Sequence, residues 1–325
     1  MSPDQAADLA GRFLATGATS AFGTCGELAQ GLLDGTPVMV TCPIDLFSPA
    51  TVELSEGTGR VYGPVSSPQA KRAVAKSLAL LGHKDTDARL HLASSIPRAK
   101  GMANSTADIT AAIAASAAAS RSQLSIQQQA ELALAVEPSD GVMLPGIALF
   151  DYKGGRILQS LGAPPPISVL ILEFPETVDT ESFHTTNRHV TLERQAARFR
   201  EALALIISGL ERSETELIGR GATLSALGHQ GGLPKPQLSA VITLGRNAGA
   251  AGVTVAHSGT VIGVLFSEDA ERVAWASDQA SKRLSGLQAV HNRRLIGSGV
   301  HQEPPENDQE IGVRRLRSLG HPDRP

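Results

Sequence analysis

Three short segments of this chain combine glycine with hydroxyl, amide and carboxylate side chains, the groups that phosphate chemistry uses. The richest runs from Pro97 through Arg98, Ala99, Lys100, Gly101, Met102, Ala103, Asn104, Ser105, Thr106 and Ala107 to Asp108, a small-residue turn between a strand-like lead and an alanine-rich run. Gly101 and Ala103 let a ligand approach the backbone. Asn104, Ser105 and Thr106 stand where a helix begins, with unpaired N–H groups at the positive end of its dipole. An anion there meets several donors and few steric obstacles. The other two segments are Gly23 to Gly31, which holds Glu27 and Gln30, and Gly252 to Thr260, which holds His257, Ser258 and Gly259. Taken alone, a glycine-rich turn before a helix is as readily a tight connection as a ligand site.

The elements that must position these residues follow from periodicity. Short β-branched runs at 38–40 and 50–54, separated by Pro43 and Pro49, predict strands joined by turns. Apolar residues recurring every three or four positions predict a helix over 67–81, stopped by Gly82. Residues 89–96 alternate as a strand that delivers the chain to the glycine turn. The helix after the turn, 105–120, carries Ile109 and Ile113 as its packing ridge, and a further helix over 125–136 opens on Ser125 as its cap. Lys153-Gly154-Gly155 marks a hairpin, and Pro164-Pro165-Pro166 a stiff break. Beyond it lie a buried strand at 167–174, helical patterns at 190–210 and 213–227, two apolar strands at 251–256 and 260–266, and a helix at 268–283. The reading is an α+β chain with a first domain over 1–163, a second over 164–301, and a polar tail, 302–325, expected to be disordered.

Bulk composition narrows the function classes. The chain has 325 residues, 42% of them hydrophobic and only 3% aromatic, and a net charge of −3. It lacks both the basic surface and the stacking rings of a nucleic-acid binder. No apolar run approaches the ~18 residues that span a bilayer, so no membrane partner is expected. Cys25 and Cys42 form neither a disulfide framework nor a zinc motif, and are read as small, buried, unreactive thiols in a cytoplasmic protein. The oligomeric state is not legible.

The order and content of the three segments resemble the three motifs of the GHMP kinases, whose second motif reads Pro-x3-Gly-Leu-Gly-Ser-Ser-x-Ala. Pro97, Gly101, Met102, Ala103, Asn104, Ser105 and Ala107 fall on it in register. Ala103 stands in place of a glycine and Asn104 in place of the first serine. Within that family the chain is most similar to the L-threonine kinases of cobalamin biosynthesis. Thr24 to Gly31 match their Ser-Cys-Gly-Glu-Leu-x-Gln-Gly pattern with threonine for serine, and Lys100 to Ile109 follow their second motif at nine of ten positions. Phe22 departs from the proline these kinases carry there.

The resemblance implies a two-domain fold, with an N-terminal part like domain 2 of ribosomal protein S5 and a ferredoxin-like C-terminal part. It implies ATP-dependent phosphorylation of the hydroxyl of a small amino acid, threonine first and serine, homoserine or another amino alcohol as alternatives. A nucleotide-binding relative without turnover is the remaining alternative. Residues Pro97 to Ala107, apart from Ala99, are then the nucleotide site, with Arg98 or Lys100 meeting phosphates. Ser105 and Glu137 suit Mg²⁺, which takes one or two protein oxygens beside phosphate oxygens. Asp140 takes the acceptor-hydroxyl role, as base or as orienting group. Glu27, Gln30, Asp45, Ser258 and Gly259 hold or flank the amino acid.

Overall fold

A computed structural model describes residues 11–175, 189–230, 234–256, 259–297 and 299–302. The tail from 303 onward, His257 and Ser258 lie outside the described residues. The N-terminal part opens with two 21-residue strands, β1 (Phe13–Leu33) and β2 (Thr36–Glu56), which form one long antiparallel hairpin. The short strand β3 (Val61–Tyr62), helix α1 (Pro68–Leu80) and strand β4 (Thr86–Leu92) follow. Then come helices α2 (Asn104–Ala119) and α3 (Ile126–Leu134), and the hairpin β5 (Ile147–Phe150) with β6 (Leu158–Gly162).

The two strands expected on either side of Pro43 and Pro49 are thus a single strand, and the hydrogen-bond directions explain why. Pro43 O accepts from Ile296 N and Pro49 O from Ala93 N. The C=O and N–H of one strand residue face the same edge, so each missing N–H points away from the β1 ladder, where no strand bond is lost.

After the proline stretch, β7 (Ile167–Glu173) leads to α4 (His189–Arg194), α5 (Ala196–Arg212), α6 (Thr215–His229) and α7 (Leu238–Asn247). The last of these was not foreseen, and the pattern at 190–210 divides into α4 and α5. Strands β8 (Gly252–Val255) and β9 (Ile262–Ser267), helix α8 (Ala270–Arg283), β10 (Ala289–Arg294) and β11 (His301–Gln302) complete the described chain. The order β10-β7-β9-β8 is the fourth-first-third-second arrangement of a ferredoxin-like βαββαβ unit, with four helices among the described residues ahead of its second strand. The α+β, two-part architecture is therefore as expected.

The two parts share one sheet, ordered β10-β7-β9-β8-β1-β2-β4-β3. They join where Glu27 of β1 pairs with Val255 of β8. β11 also returns to pair with β1, and Leu295 bridges to Ile44, so the chain's last described residues lie against its first part.

Helix α2 runs close against the β1–β2 hairpin, which its alanines permit. A Cβ on Gly17 of β1 would lie 2.3 Å from Ala119 N and 2.5 Å from Ala115 O. Twelve of the sixteen α2 residues are buried, and Ile109 and Ile113 pack with Met39, Phe150 and Tyr152. Helix α3 starts as its sequence indicated: Ser125 and Gln128 form a reciprocal capping box.

Candidate active site

The glycine turn and the first turn of α2 form one wall of a cleft of about 130 Å³. That is roughly ten times the space that admits one water, so it holds a ligand of several non-hydrogen atoms. Pro97, Ala99, Gly101, Met102, Ala103, Asn104, Ser105 and Thr106 line that wall, and Glu27, Gln30, Glu137, Asp140 and Tyr152 line the remainder.

The wall owes its shape to backbone conformation. Ala99, Gly101 and Ala103 all have positive φ, at 58°, 78° and 55°. Ala103 is the residue before α2 and makes no side-chain cap, so the first N–H groups of the helix are left for a ligand. Asn104 is inside the helix and not its cap. Its Nδ2 donates to Ser94 Oγ at 2.8 Å and to Ile96 O at 3.2 Å, bracing the loop that enters the turn. Asn104→Ala is accordingly expected to lower stability by about 1–2 kcal/mol, measured by denaturant unfolding, because both bonds are lost at once. An unchanged midpoint would show that the brace contributes nothing.

The other two glycine segments hold the turn from behind. Thr24 N donates to Met102 O and Gly26 N to Gly101 O, at 3.1 and 3.2 Å, while Thr260 N donates to Lys100 O at 3.0 Å. A Cβ on Gly101 would lie 2.5 Å from Ala256 Cβ, and one on Gly259 would lie 2.2 Å from Lys100 O. Gly259, expected beside the amino acid, does not line the cleft but packs on Gly101 behind it. Ser258 lies outside the described residues.

Glu27 reaches the cleft because β1 is irregular there. The ladder to β2 shifts register between Phe22 and Thr24, between Thr24 and Glu27, and between Glu27 and Ala29, and Gly26 has φ of 59°. Bulges of this kind redirect a side chain at a site edge. Thr254 Oγ1 donates to Glu27 O at 2.7 Å, fixing the strand from the β8 side.

Glu137 and Asp140 arrive on a tight turn after α3. Ser139 N donates to Tyr152 O at 3.2 Å, and Asp140 N to Thr106 Oγ1 at 3.4 Å, so the first turn of α2 holds the segment that carries both carboxylates. Asp140 is half-buried, and its carboxyl is pushed up to about 8, first by burial and then by the charges of Glu27 and Glu137. Three carboxylates line one cleft opposite the uncapped N–H groups of α2, so one wall suits a cationic group and the other an anionic one.

Four other residues expected at the site are elsewhere or turned away. Asp45 accepts from Arg294 N and Nε, at 2.9 and 3.4 Å, and does not line the cleft. Lys100 points to the opposite side of the turn, where its Nζ donates to Phe174 O at 2.6 Å. Arg98 is tied down by Ser66 O at 2.7 Å and Ser67 Oγ at 3.0 Å, and lies 3.8 Å from Asp108. Ala107 is fully buried behind the wall. For the three charged residues a nearer partner captures the group, which spacing along the chain does not reveal.

Other residues of the site were not foreseen. Met39 and Tyr152 also line the cleft and add apolar surface to it. Asp108 accepts from Ser48 Oγ at 2.5 Å and Ser67 Oγ at 3.2 Å, tying α2 to β2 and to the start of α1, and burial raises its pKa despite these donors. Its place in the Ala107-Asp108 step of the second motif was the available signal. The two cysteines are buried with both thiols pushed up, chiefly by burial, which agrees with inert packing roles.

The donor set bears on Mg²⁺. Ser105 and Glu137 line the same cleft as the free helix N–H groups, and no cluster of three His, Cys, Asp or Glu side chains able to cage a metal occurs among the described residues. Few protein oxygens next to a phosphate seat fit an ion that keeps waters and phosphate oxygens as its main ligands. No helix among the described residues is long and apolar enough to cross a membrane.

Comparison with known proteins agrees with this geometry. Residues 69–148, which include the turn and two of the three cleft carboxylates, Glu137 and Asp140, match the GHMP kinases N terminal domain, and residues 206–276 match the GHMP kinases C terminal domain. The chain is 32% identical over 281 residues to the L-threonine kinase of Citrobacter freundii, covering 85% of this chain and 96% of that protein. It is 33% identical over 280 residues to the L-threonine kinase of Salmonella typhimurium, covering 85% and 92%. Homoserine kinase from Cytophaga hutchinsonii superposes with a TM-score of 0.70 at 15% identity, over 89% of this chain and 98% of that one, which extends the likeness to the fold. A cleft at the uncapped start of α2, whose turn is held by two further glycine segments, thus coincides with both family domains and with about one-third identity over most of the chain: this protein belongs to the GHMP kinase family.

Proposed function

We propose that this protein is an ATP-dependent kinase that transfers the γ-phosphoryl group to the hydroxyl of L-threonine, giving O-phospho-L-threonine for the aminopropanol arm of cobalamin biosynthesis. The observation that carries the reading is the single cleft in which the uncapped start of α2 faces Glu27, Glu137 and Asp140. A nucleotide's phosphates fit the first wall, and an amino acid's ammonium group fits the acidic one. Identity with two L-threonine kinases favours threonine as acceptor. Met39 and Tyr152 line the same cleft, and their apolar surface supports an acceptor that carries a methyl group.

In the reaction the acceptor oxygen bonds to the γ-phosphorus, the bond from that phosphorus to the β-phosphate oxygen breaks, and the hydroxyl proton departs. The N–H groups at residues 104–106 seat phosphate oxygens. Glu27 holds the ammonium group, and Gln30 the carboxylate or hydroxyl of the amino acid. Asp140 aligns the hydroxyl and takes or shares its proton. Ser105 and Glu137 would hold Mg²⁺, which supplies charge neutralisation on the phosphates. Alignment and electrostatics are most of what phosphoryl transfer requires.

A panel of acceptors tests the reading. Purified protein with ATP and Mg²⁺ should release ADP with L-threonine, and more slowly with L-serine, the missing methyl changing kcat/KM by roughly 10–200-fold. Turnover only with sugars or with alcohols lacking an amino group would overturn the acceptor. Nucleotide binding with no turnover on any acceptor would overturn the kinase.

A further inference from the structure

Lys100 belongs to the turn that forms the phosphate seat, yet its side chain leaves the cleft and enters the C-terminal part. Nζ donates to Phe174 O at 2.6 Å and to Gln288 Oε1 at 3.0 Å, and lies 3.4 Å from Glu173 Oε1. Its side chain is 10% exposed. Glu173 is the last residue of β7, and Gln288 immediately precedes β10. These neighbours are themselves linked: Gln288 N donates to Glu173 O at 2.8 Å, and His291 Nε2 is 3.2 Å from Glu173 Oε2. The ammonium group therefore docks on two joined strand ends.

The backbone of the same residue faces the other way. Lys100 O accepts from Thr260 N at 3.0 Å and Val261 N at 3.3 Å, and the next carbonyl, Gly101 O, accepts from Gly26 N. All three glycine segments and the β7–β10 edge thus meet at Lys100 and Gly101. A nearly buried ammonium group is stable only with its partners in place, so the contact has one preferred geometry and not a range of them.

We propose that Lys100 and Glu173 are positioning residues: together they anchor the phosphate seat to the C-terminal sheet, and nucleotide affinity depends on that anchor although neither side chain touches the nucleotide. The inference rests on the kinase reading above. It assigns Glu173, remote in sequence from every motif, a part in nucleotide binding.

A double-mutant cycle read by calorimetry with Mg-ADP tests it, alongside amide hydrogen exchange at Gly26 and Thr260 of the nucleotide-free protein. Lys100→Met is expected to weaken Mg-ADP by about tenfold and Glu173→Gln by a smaller factor, with the double variant no weaker than Lys100→Met alone, because both changes break one network. Lys100→Arg should restore most of the affinity. Exchange at both amides should quicken in the weakened variants. Loss of affinity in Lys100→Met with Glu173→Gln at the wild-type value and exchange unaltered would make Lys100 a phosphate ligand and overturn the proposal. Should Lys100→Met fail to fold, Glu173→Gln decides alone: unchanged affinity and exchange refute the anchor. Wild-type protein that binds no Mg-ADP would instead refute the kinase reading, while the exchange measurements still judge the anchor.

Discussion

Replacing Asp140 with asparagine is expected to lower turnover by about 10²–10⁴-fold and, at the same time, to raise the unfolding temperature. Both effects come from the same crowding. The carboxyl is pushed from 3.8 up to about 8 by burial and by the neighbouring charges of Glu27 and Glu137. The folded protein therefore retains a proton that the unfolded chain releases, and between about pH 4 and pH 8 stability falls as pH rises. Below that window the group is protonated in both states and costs nothing.

Asparagine keeps the shape and never ionises. Nucleotide-free Asp140→Asn should be more stable than wild type by about 1–3 kcal/mol at pH 8, with the gap closing toward pH 4. Calorimetric melts at the two pH values and ADP release with L-threonine check the two halves separately. A wild-type rate would remove Asp140 from the reacting hydroxyl, and a gap independent of pH would mean that its carboxyl is not raised.

Gly101→Ala is expected to abolish measurable nucleotide binding and to destabilise the fold by about 2–5 kcal/mol. Conformation alone does not explain the size of the effect. Ala99 and Ala103 already hold positive φ on either side of Gly101, so a methyl group is admissible in this loop wherever it has space. At Gly101 it has none: the new Cβ would lie 2.5 Å from Ala256 Cβ, 2.7 Å from Gly259 Cα and 2.9 Å from Gly259 N. Relief would move the turn away from the third segment, breaking the bonds from Thr260 N and Val261 N to Lys100 O and displacing the N–H groups of α2. Because two of the three contacts are backbone, adding Ala256→Gly should not restore binding. Thermal melts and titration with Mg-ADP read the outcome, and full rescue by Ala256→Gly would show that the clash is with one side chain only.

Several parts of this protein were readable from local pattern. The helix after the glycine turn, the cap at Ser125, the hairpin around Lys153-Gly154-Gly155 and the ridge of Ile109 and Ile113 all depend on neighbours within a few positions. Prolines misled the reading of β2, since sequence shows a missing N–H but not the edge it faces. Helix α7 went unread although Leu238, Val241 and Leu244 recur at helical spacing, because it is only ten residues long and lies between a proline-rich and a glycine-rich stretch.

The sequence by itself determined that a small-residue turn opens a helix, that two further glycine segments accompany it, and that acidic residues flank the three. Those features are statements about backbone freedom and side-chain type, and both are local. Only the tertiary structure decided which charged groups face the cleft. Glu27, Glu137 and Asp140 are brought to it by a bulged strand and a turn held by Thr106, whereas Asp45, Arg98 and Lys100 are taken by Arg294, by Ser66 and Ser67, and by the strand end at Phe174. A charged side chain goes to the partner nearest in space, and for Asp45 and Lys100 that partner is 249 and 74 residues away along the chain.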